Sequence, residues 1–350
     1  MTRSASEITR GAAIPAGDMP SERTFVTEIA TGLGMVGDDD VGSVITRRPP
    51  EMSNLTAGNW DQLTELWSSG GYASEFTAGF LNGQAFLTAA DALNGRRPRI
   101  MEWTGERRPP GDEVVPSDLR VDHVYLVSCK YLSRILHNPS PARLVEGLLT
   151  QAPVDDLRDW YYRVAPVEYQ ELYEACVPVV DGSPLPGRAA DLAKAERRRL
   201  ALALRSGWPP GAAEAYAGLC RSVSEATAAA WNARVSSHNA DAVLWRLLRI
   251  GSAPYFVLGA SPDGSMRLRI DTPWDWRQRF RLRRFQIEPQ LGGQPRVTWA
   301  ATCKSRTTSE EFIAHGHVEI RWSHGRFGQP PEAKVYLDSA HEHVPGYHRF

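Results

Sequence analysis

The stretch Pro116-Ser117-Asp118-Leu119-Arg120-Val121-Asp122-His123-Val124-Tyr125-Leu126-Val127-Ser128-Cys129-Lys130 holds an acid, a turn and an apolar run that ends in lysine. In an extended strand alternate residues share a face, so Ser128 and Lys130 point one way and Val127 and Cys129 the other. A tight turn after Val121 returns the chain, which sets Asp118 beside the end of the second strand. A carboxylate, a hydroxyl and an ammonium then meet at a sheet edge. These groups suit phosphodiester hydrolysis. A carboxylate holds Mg²⁺ through oxygen. The bound ion polarises a phosphoryl oxygen and acidifies a water. A lysine nearby orients that water or offsets the developing charge. Asp122 is an alternative first acid. The plainer reading of the same residues is a buried strand that ends in a solvated lysine.

Such a site needs elements to position it. Apolar spacing predicts a helix over 59–67, a break at Ser69-Gly70-Gly71, and a second helix over 72–93 with Phe76, Phe80, Leu87 and Leu93 on one face. Glu75 falls in the first turn of that helix, where the helix dipole favours an acid. A short strand at 99–103 precedes strands at 118–121 and 124–130. A helix over 131–149, broken near Asn138-Pro139, is expected next.

The order helix, strand, strand, strand, helix over roughly 60–150 resembles the core of the PD-(D/E)xK nuclease superfamily. There the first acid opens the second core strand, the (D/E)-x-K tripeptide ends the third, and a preceding helix often adds an acid. The resemblance implies a restriction-endonuclease-like mixed sheet and Mg²⁺-dependent cleavage of DNA, in restriction or defence against foreign DNA. Carried onto this chain, Asp118 holds the metal, Glu75 is the helper ligand and Lys130 acts at the water or phosphate. Ser128 stands where the family has its second acid. It would contribute its hydroxyl, with the Cys129 backbone carbonyl as the better metal ligand. Glu75 or Glu102 would have to supply the missing charge. The substitution also favours a second reading, a catalytically inactive subunit that binds nucleic acid or protein.

Beyond this core the expected elements are helices at 154–176, 188–206, 212–235 and 240–250, with a Pro/Gly-rich linker at 177–187. Alternating strands follow at 255–258, 267–270, 277–287, 297–303, 317–322 and 334–337. The expected division is an N-terminal arm (1–55), an α/β nuclease-like core (56–176), a helical region (177–250) and a β-rich C-terminal domain (251–350). The arm carries one short helix near 22–33. Alternation over 277–287 would set Arg277, Arg279, Arg281 and Arg283 on one strand face, with Phe280 and Leu282 opposite. Phosphates are natural partners for such a row. An exposed sheet face neutralised by acids elsewhere is the alternative.

The net charge of −1 excludes a polycation, so any nucleic-acid surface must be a local patch. Cys129, Cys176, Cys220 and Cys303 form no CxxC pair, which argues against a zinc module and a disulfide framework and for a reducing cytoplasm. No signal peptide or membrane span is expected. The late histidines His315, His317, His324, His341, His343 and His348 are expected to be solvated or packed more readily than metal-bound. P-loop, GxSxG and HExxH patterns are missing from the sequence. The expected partner is DNA. A homodimer or a larger assembly, with the eleven tryptophans as contacts, stays open.

Overall fold

The computed structural model describes residues 21–37, 40–105, 117–131, 135–149, 159–236, 239–261 and 264–350. Helix α1 (Glu22–Gly34) begins at Ser21, whose hydroxyl accepts the Thr24 N–H. From Phe25 onward every residue of α1 is buried. Helix α2 (Val41–Arg47) and the two-residue strand β1 (Met52–Ser53) follow. Of the expected 1–55 arm, the described residues 21–37 and 40–55 are part of the folded body: Phe25, Ile29 and Leu33 sit in the N-terminal core. The Ser, Thr and Gly content hid this, because those small residues serve close packing. Helix α3 (Ala57–Ser69) opens with a Thr56–Asn59 capping box, and α4 (Ala73–Thr88) packs on α1.

The α1–α4 crossing is made by glycine. A Cβ on Gly83 would lie 2.0 Å from the Thr31 carbonyl oxygen, and one on Gly34 would lie 2.0 Å from the Phe80 carbonyl oxygen. Backbone cannot yield there as a side-chain tip can. Gly83→Ala is expected to cost about 3 kcal/mol by forcing the helices apart, measured by urea unfolding. A loss within about 0.5 kcal/mol, the usual range for surface changes, would show that the crossing is not tight.

Strand β2 (Met101–Trp103) leads to β3 (Leu119–Val121) and β4 (Tyr125–Tyr131). Asp122 and His123 reverse β3 into β4 with φ of 51° and 59°. Two consecutive left-handed residues make the turn whose twist matches a hairpin. Of the expected 131–149 helix only α5 (Pro141–Leu149) is helical among the described residues; Tyr131 ends β4, Ile135–His137 is strand β5, and residues 132–134 lie outside the described residues. The middle of the chain forms α6 (Trp160–Val164), α7 (Pro166–Cys176), α8 (Lys194–Ala203), α9 (Ala212–Arg234) and α10 (Ala240–Leu247). Residues 154–158 of the expected 154–176 helix lie outside the described residues. The last part holds β6 (Tyr255–Ser261), β7 (Gly264–Ile270), α11 (Pro273–Arg279), β8 (Phe280–Gln290), β9 (Arg296–Ser305), β10 (Glu311–Arg321), β11 (Glu332–Leu337) and β12 (Tyr347–Arg349).

These strands build two sheets. The first is mixed, with seven strands in the order β1-β2-β3-β4-β6-β7-β12. The second is antiparallel, in the order β5-β11-β10-β9-β8. The protein is thus mixed α/β, with two sheets that exchange segments. A boundary at 251 does not divide it, because β6 pairs in parallel with β4 and brings β7 and β12 into the first sheet. Strand β5 in turn crosses to the second sheet. The first sheet is covered on both faces. Val127, Cys129, Phe256 and Leu258 meet α1 and α4 on one face, while Tyr255, Val257, Leu268 and Ile270 join the larger core of helices and second sheet on the other. Burial on both faces explains the apolar β6 run. No helix among the described residues is long and apolar enough to cross a membrane.

Candidate functional site

The β3–β4 hairpin brings Asp118 to Ser128 as the spacing requires. Asp118 Oδ2 accepts the Ser128 hydroxyl at 3.1 Å and the Cys129 backbone N–H at 2.6 Å. The Asp118 N–H donates to the Val127 carbonyl at 2.9 Å, so backbone and side chain are both fixed. Lys130 follows, half-buried, with its charge stabilised by Asp118 and by Glu28. Burial and then the Arg249 guanidinium work against that charge and hold the ammonium below the usual lysine range.

A second acid close to Asp118 and Lys130 is Glu28 of α1. It is 7 % exposed, and its Oε2 accepts the Trp103 indole N–H at 2.7 Å. Burial, then the negative charge of Asp118, push its carboxyl well above the usual range; Trp103 and Lys130 oppose them. The Asp118 charge thus adds to the cost of ionising Glu28. Among the described residues Glu28 Oε1 and Asp118 Oδ1 have no hydrogen bond.

Glu75, the helix acid expected from the sequence, serves another purpose. It pairs with Arg23 at 2.9 Å and accepts the Ser74 hydroxyl at 2.7 Å. Burial works against its charge, but those partners outweigh it and hold its carboxyl below the usual range. Asp122 is spent at the other end of the hairpin, on Arg96 and on the backbone N–H groups of Arg99 and Ile100. Glu102 meets His123 at 2.8 Å. Cys129 turns its side chain into the N-terminal core, where burial raises its thiol far above the usual range, so it offers no thiolate.

Ser128 has a second neighbour that the sequence did not suggest. Arg249, 4 % exposed, sends Nη1 to the Ser128 hydroxyl at 3.3 Å and to the Tyr255 hydroxyl. A lone acid within the apolar run Phe25-Val26-Thr27-Glu28-Ile29-Ala30 was a readable signal for Glu28. Arg249 left none, since β4 and the α10–β6 connection meet only in three dimensions.

The expected row of four arginines is divided. Arg277 and Arg279 lie on α11, not on a strand. Arg277 covers the Trp245 ring at 4.6 Å, and Arg279 meets His348 at 2.9 Å and Asp271 at 3.8 Å. The signal for this helix is the Thr272–Asp275 capping box with Pro273 between. Strand β8 then carries a bulge between Leu282 and Arg284, which keeps Phe280, Leu282, Phe285 and Ile287 toward the core. Arg281, Arg283 and Arg284 are exposed and have no ion pair among the described residues. Arg281 sits directly opposite Lys304 of β9.

Four of the late histidines have close polar or ring partners. His315 meets Ser339, His317 meets Asp338 and stacks on Tyr336, His341 stacks on Tyr347, and His348 meets Asp271. Among the described residues no group of three or more His, Cys, Asp or Glu could hold a metal ion. A Mg²⁺ site needs fewer, because Mg²⁺ keeps several waters and takes one or two carboxylates. Compared with protein-family models, with curated proteins and with solved structures, the chain matches none.

Proposed function

We propose that this protein is a Mg²⁺-dependent DNA endonuclease with a restriction-endonuclease-like core, in which Glu28, Asp118 and Lys130 form the site. The observation that carries the reading is the pair of acids. Buried Glu28 ionises against the charge of half-buried Asp118 and is favoured by Lys130, and one oxygen of each acid has no hydrogen bond among the described residues. A divalent cation held by these acids would offset that charge, and hard oxygen donors suit Mg²⁺. Helices ahead of the three antiparallel strands β2, β3 and β4 support the PD-(D/E)xK resemblance, with the acid taken from α1 and not from α4, the helix that directly precedes β2.

Asp118 Oδ1 and Glu28 Oε1 are the oxygens that would hold the ion. Bound there, Mg²⁺ would polarise a phosphoryl oxygen and acidify a water. Asp118 stays fixed because Ser128 and the Cys129 N–H hold its other oxygen. Lys130 orients the water or offsets charge that develops on the phosphoryl oxygens. Water adds to phosphorus, the bond to the leaving sugar oxygen breaks, and that oxygen takes up a proton. Plasmid and single-stranded DNA incubated with and without Mg²⁺ test the reading. Cleavage that chelation abolishes is expected.

A second reading, a nucleic-acid-binding protein without catalysis, is favoured by Ser128 and by the cations of β8 and β9. Like charges directly opposite each other cost stability unless an anion joins them. Arg281, Arg283, Arg284 and Lys304 are that surface, and DNA phosphate is the proposed partner in both readings. Arg281→Ala with Arg284→Ala is expected to weaken DNA binding and flatten the log–log salt slope by about 2 units. An unchanged slope in a salt titration would assign the patch to protein carboxylates.

A further inference from the structure

Position 128 lacks an acid, and the guanidinium of Arg249 lies against it. The two facts belong together. Arginine stays charged at any pH a folded protein meets. Arg249 is 4 % exposed, yet the partners of its Nη1 are two neutral hydroxyls, Ser128 and Tyr255, and its Nε has none. No ion pair to a carboxylate forms at Arg249 among the described residues. A buried cation in that state is costly, and a carboxylate one hydrogen bond away would relieve it. Serine stands at the position where such a carboxylate fits.

We infer that Arg249 is a positioning residue of the site: its fixed charge takes the place of a second cation, orients Ser128 toward Asp118, and confines a divalent ion to the side of Asp118 that faces Glu28. This inference rests on the nuclease reading above. Asp118 is divided in agreement with it. Oδ2 is committed to Ser128 and the Cys129 N–H, on the side of Arg249, and Oδ1 is open. A divalent ion near Ser128 would meet the guanidinium at close range, whereas one near Glu28 meets a second acid. Arg249 also acts on Lys130, where its charge opposes the ammonium. An acid at 128 would spend its oxygens on Arg249 and add no metal ligand.

The test compares isosteres. Ser128→Asp and Ser128→Asn differ by one charge and little volume. With Arg249 present, Ser128→Asp is expected to melt above Ser128→Asn at neutral pH. Combined with Arg249→Met, the order reverses, because the acid is then buried without its cation. Calorimetric titration with Mn²⁺ supplies the second readout. Ser128→Asp alone is expected to leave Mn²⁺ affinity within about threefold of wild type, and to tighten it about tenfold only when combined with Arg249→Met. If Ser128→Asp alone tightens Mn²⁺ binding tenfold, or melts below Ser128→Asn with Arg249 in place, the inference is overturned. If the wild type binds no Mn²⁺, the nuclease reading falls, while the melting order still decides the pairing of position 128 with Arg249.

Discussion

Lys130→Met is expected to lower the rate of DNA cleavage by about a hundred- to a thousandfold, the loss typical of removing one preorganised group that offsets transition-state charge. The substitution keeps most of the stem that packs along β4 and removes only the ammonium. Folding should survive and even gain, because burial and Arg249 both work against that charge. Asp118→Asn is the partner experiment. The amide oxygen can still accept the Cys129 N–H, so the hairpin stays closed, but the charge that would hold a cation is gone. Cleavage should fall at least as far, and Mn²⁺ affinity with it. Single-turnover cleavage at saturating protein separates the rate from binding. Either variant at full rate would remove its residue from the site. If the wild type cuts no substrate with Mg²⁺ or Mn²⁺, and both variants bind DNA as it does, the binding reading replaces the catalytic one.

The hairpin was legible because its signals are local. Acid, turn and alternating strand lie within one short stretch, and pleat geometry alone sets Asp118 beside Ser128. The seven-stranded sheet was not, since β4 finds its parallel neighbour β6 only after a long crossover, and β12 closes the edge from the far end of the chain. Helix α1 was legible as a helix but not as core, because glycine, alanine and threonine look like loop composition when their purpose is close approach. With α1 read as an arm, Glu28 was passed over as a candidate and Glu75 was the helix acid considered. At β8 the alternation was real, but a capping box upstream and a doubled arginine downstream broke it. Period-two patterning fixes faces only within an uninterrupted strand.

Glu28→Gln carries the reading of the acid pair furthest. The Glu28 carboxyl is held well above its usual range by burial and by Asp118. The sign follows from linkage: a raised acid favours the protonated fold, so stability present below the ordinary carboxylate pKa is lost as pH rises toward the folded value. Gln removes that loss and can still accept the Trp103 N–H. Without divalent ions the variant should therefore melt with wild type at about pH 4, near the ordinary glutamate pKa, and above it by a growing margin toward neutral and alkaline pH. Mg²⁺ should invert the order. A cation between Glu28 and Asp118 compensates the buried charge, so wild type should gain thermal stability with Mg²⁺, more at alkaline than at acid pH. Glu28→Gln should gain far less and lose about ten- to a hundredfold in Mn²⁺ affinity, at least what removing a group behind the ligands costs. Melting curves across pH, with Mg²⁺ and with chelator, give both results. A variant that melts below wild type at alkaline pH with chelator would show that Glu28 is satisfied as an ion, and the argument for a cation between the two acids would fail.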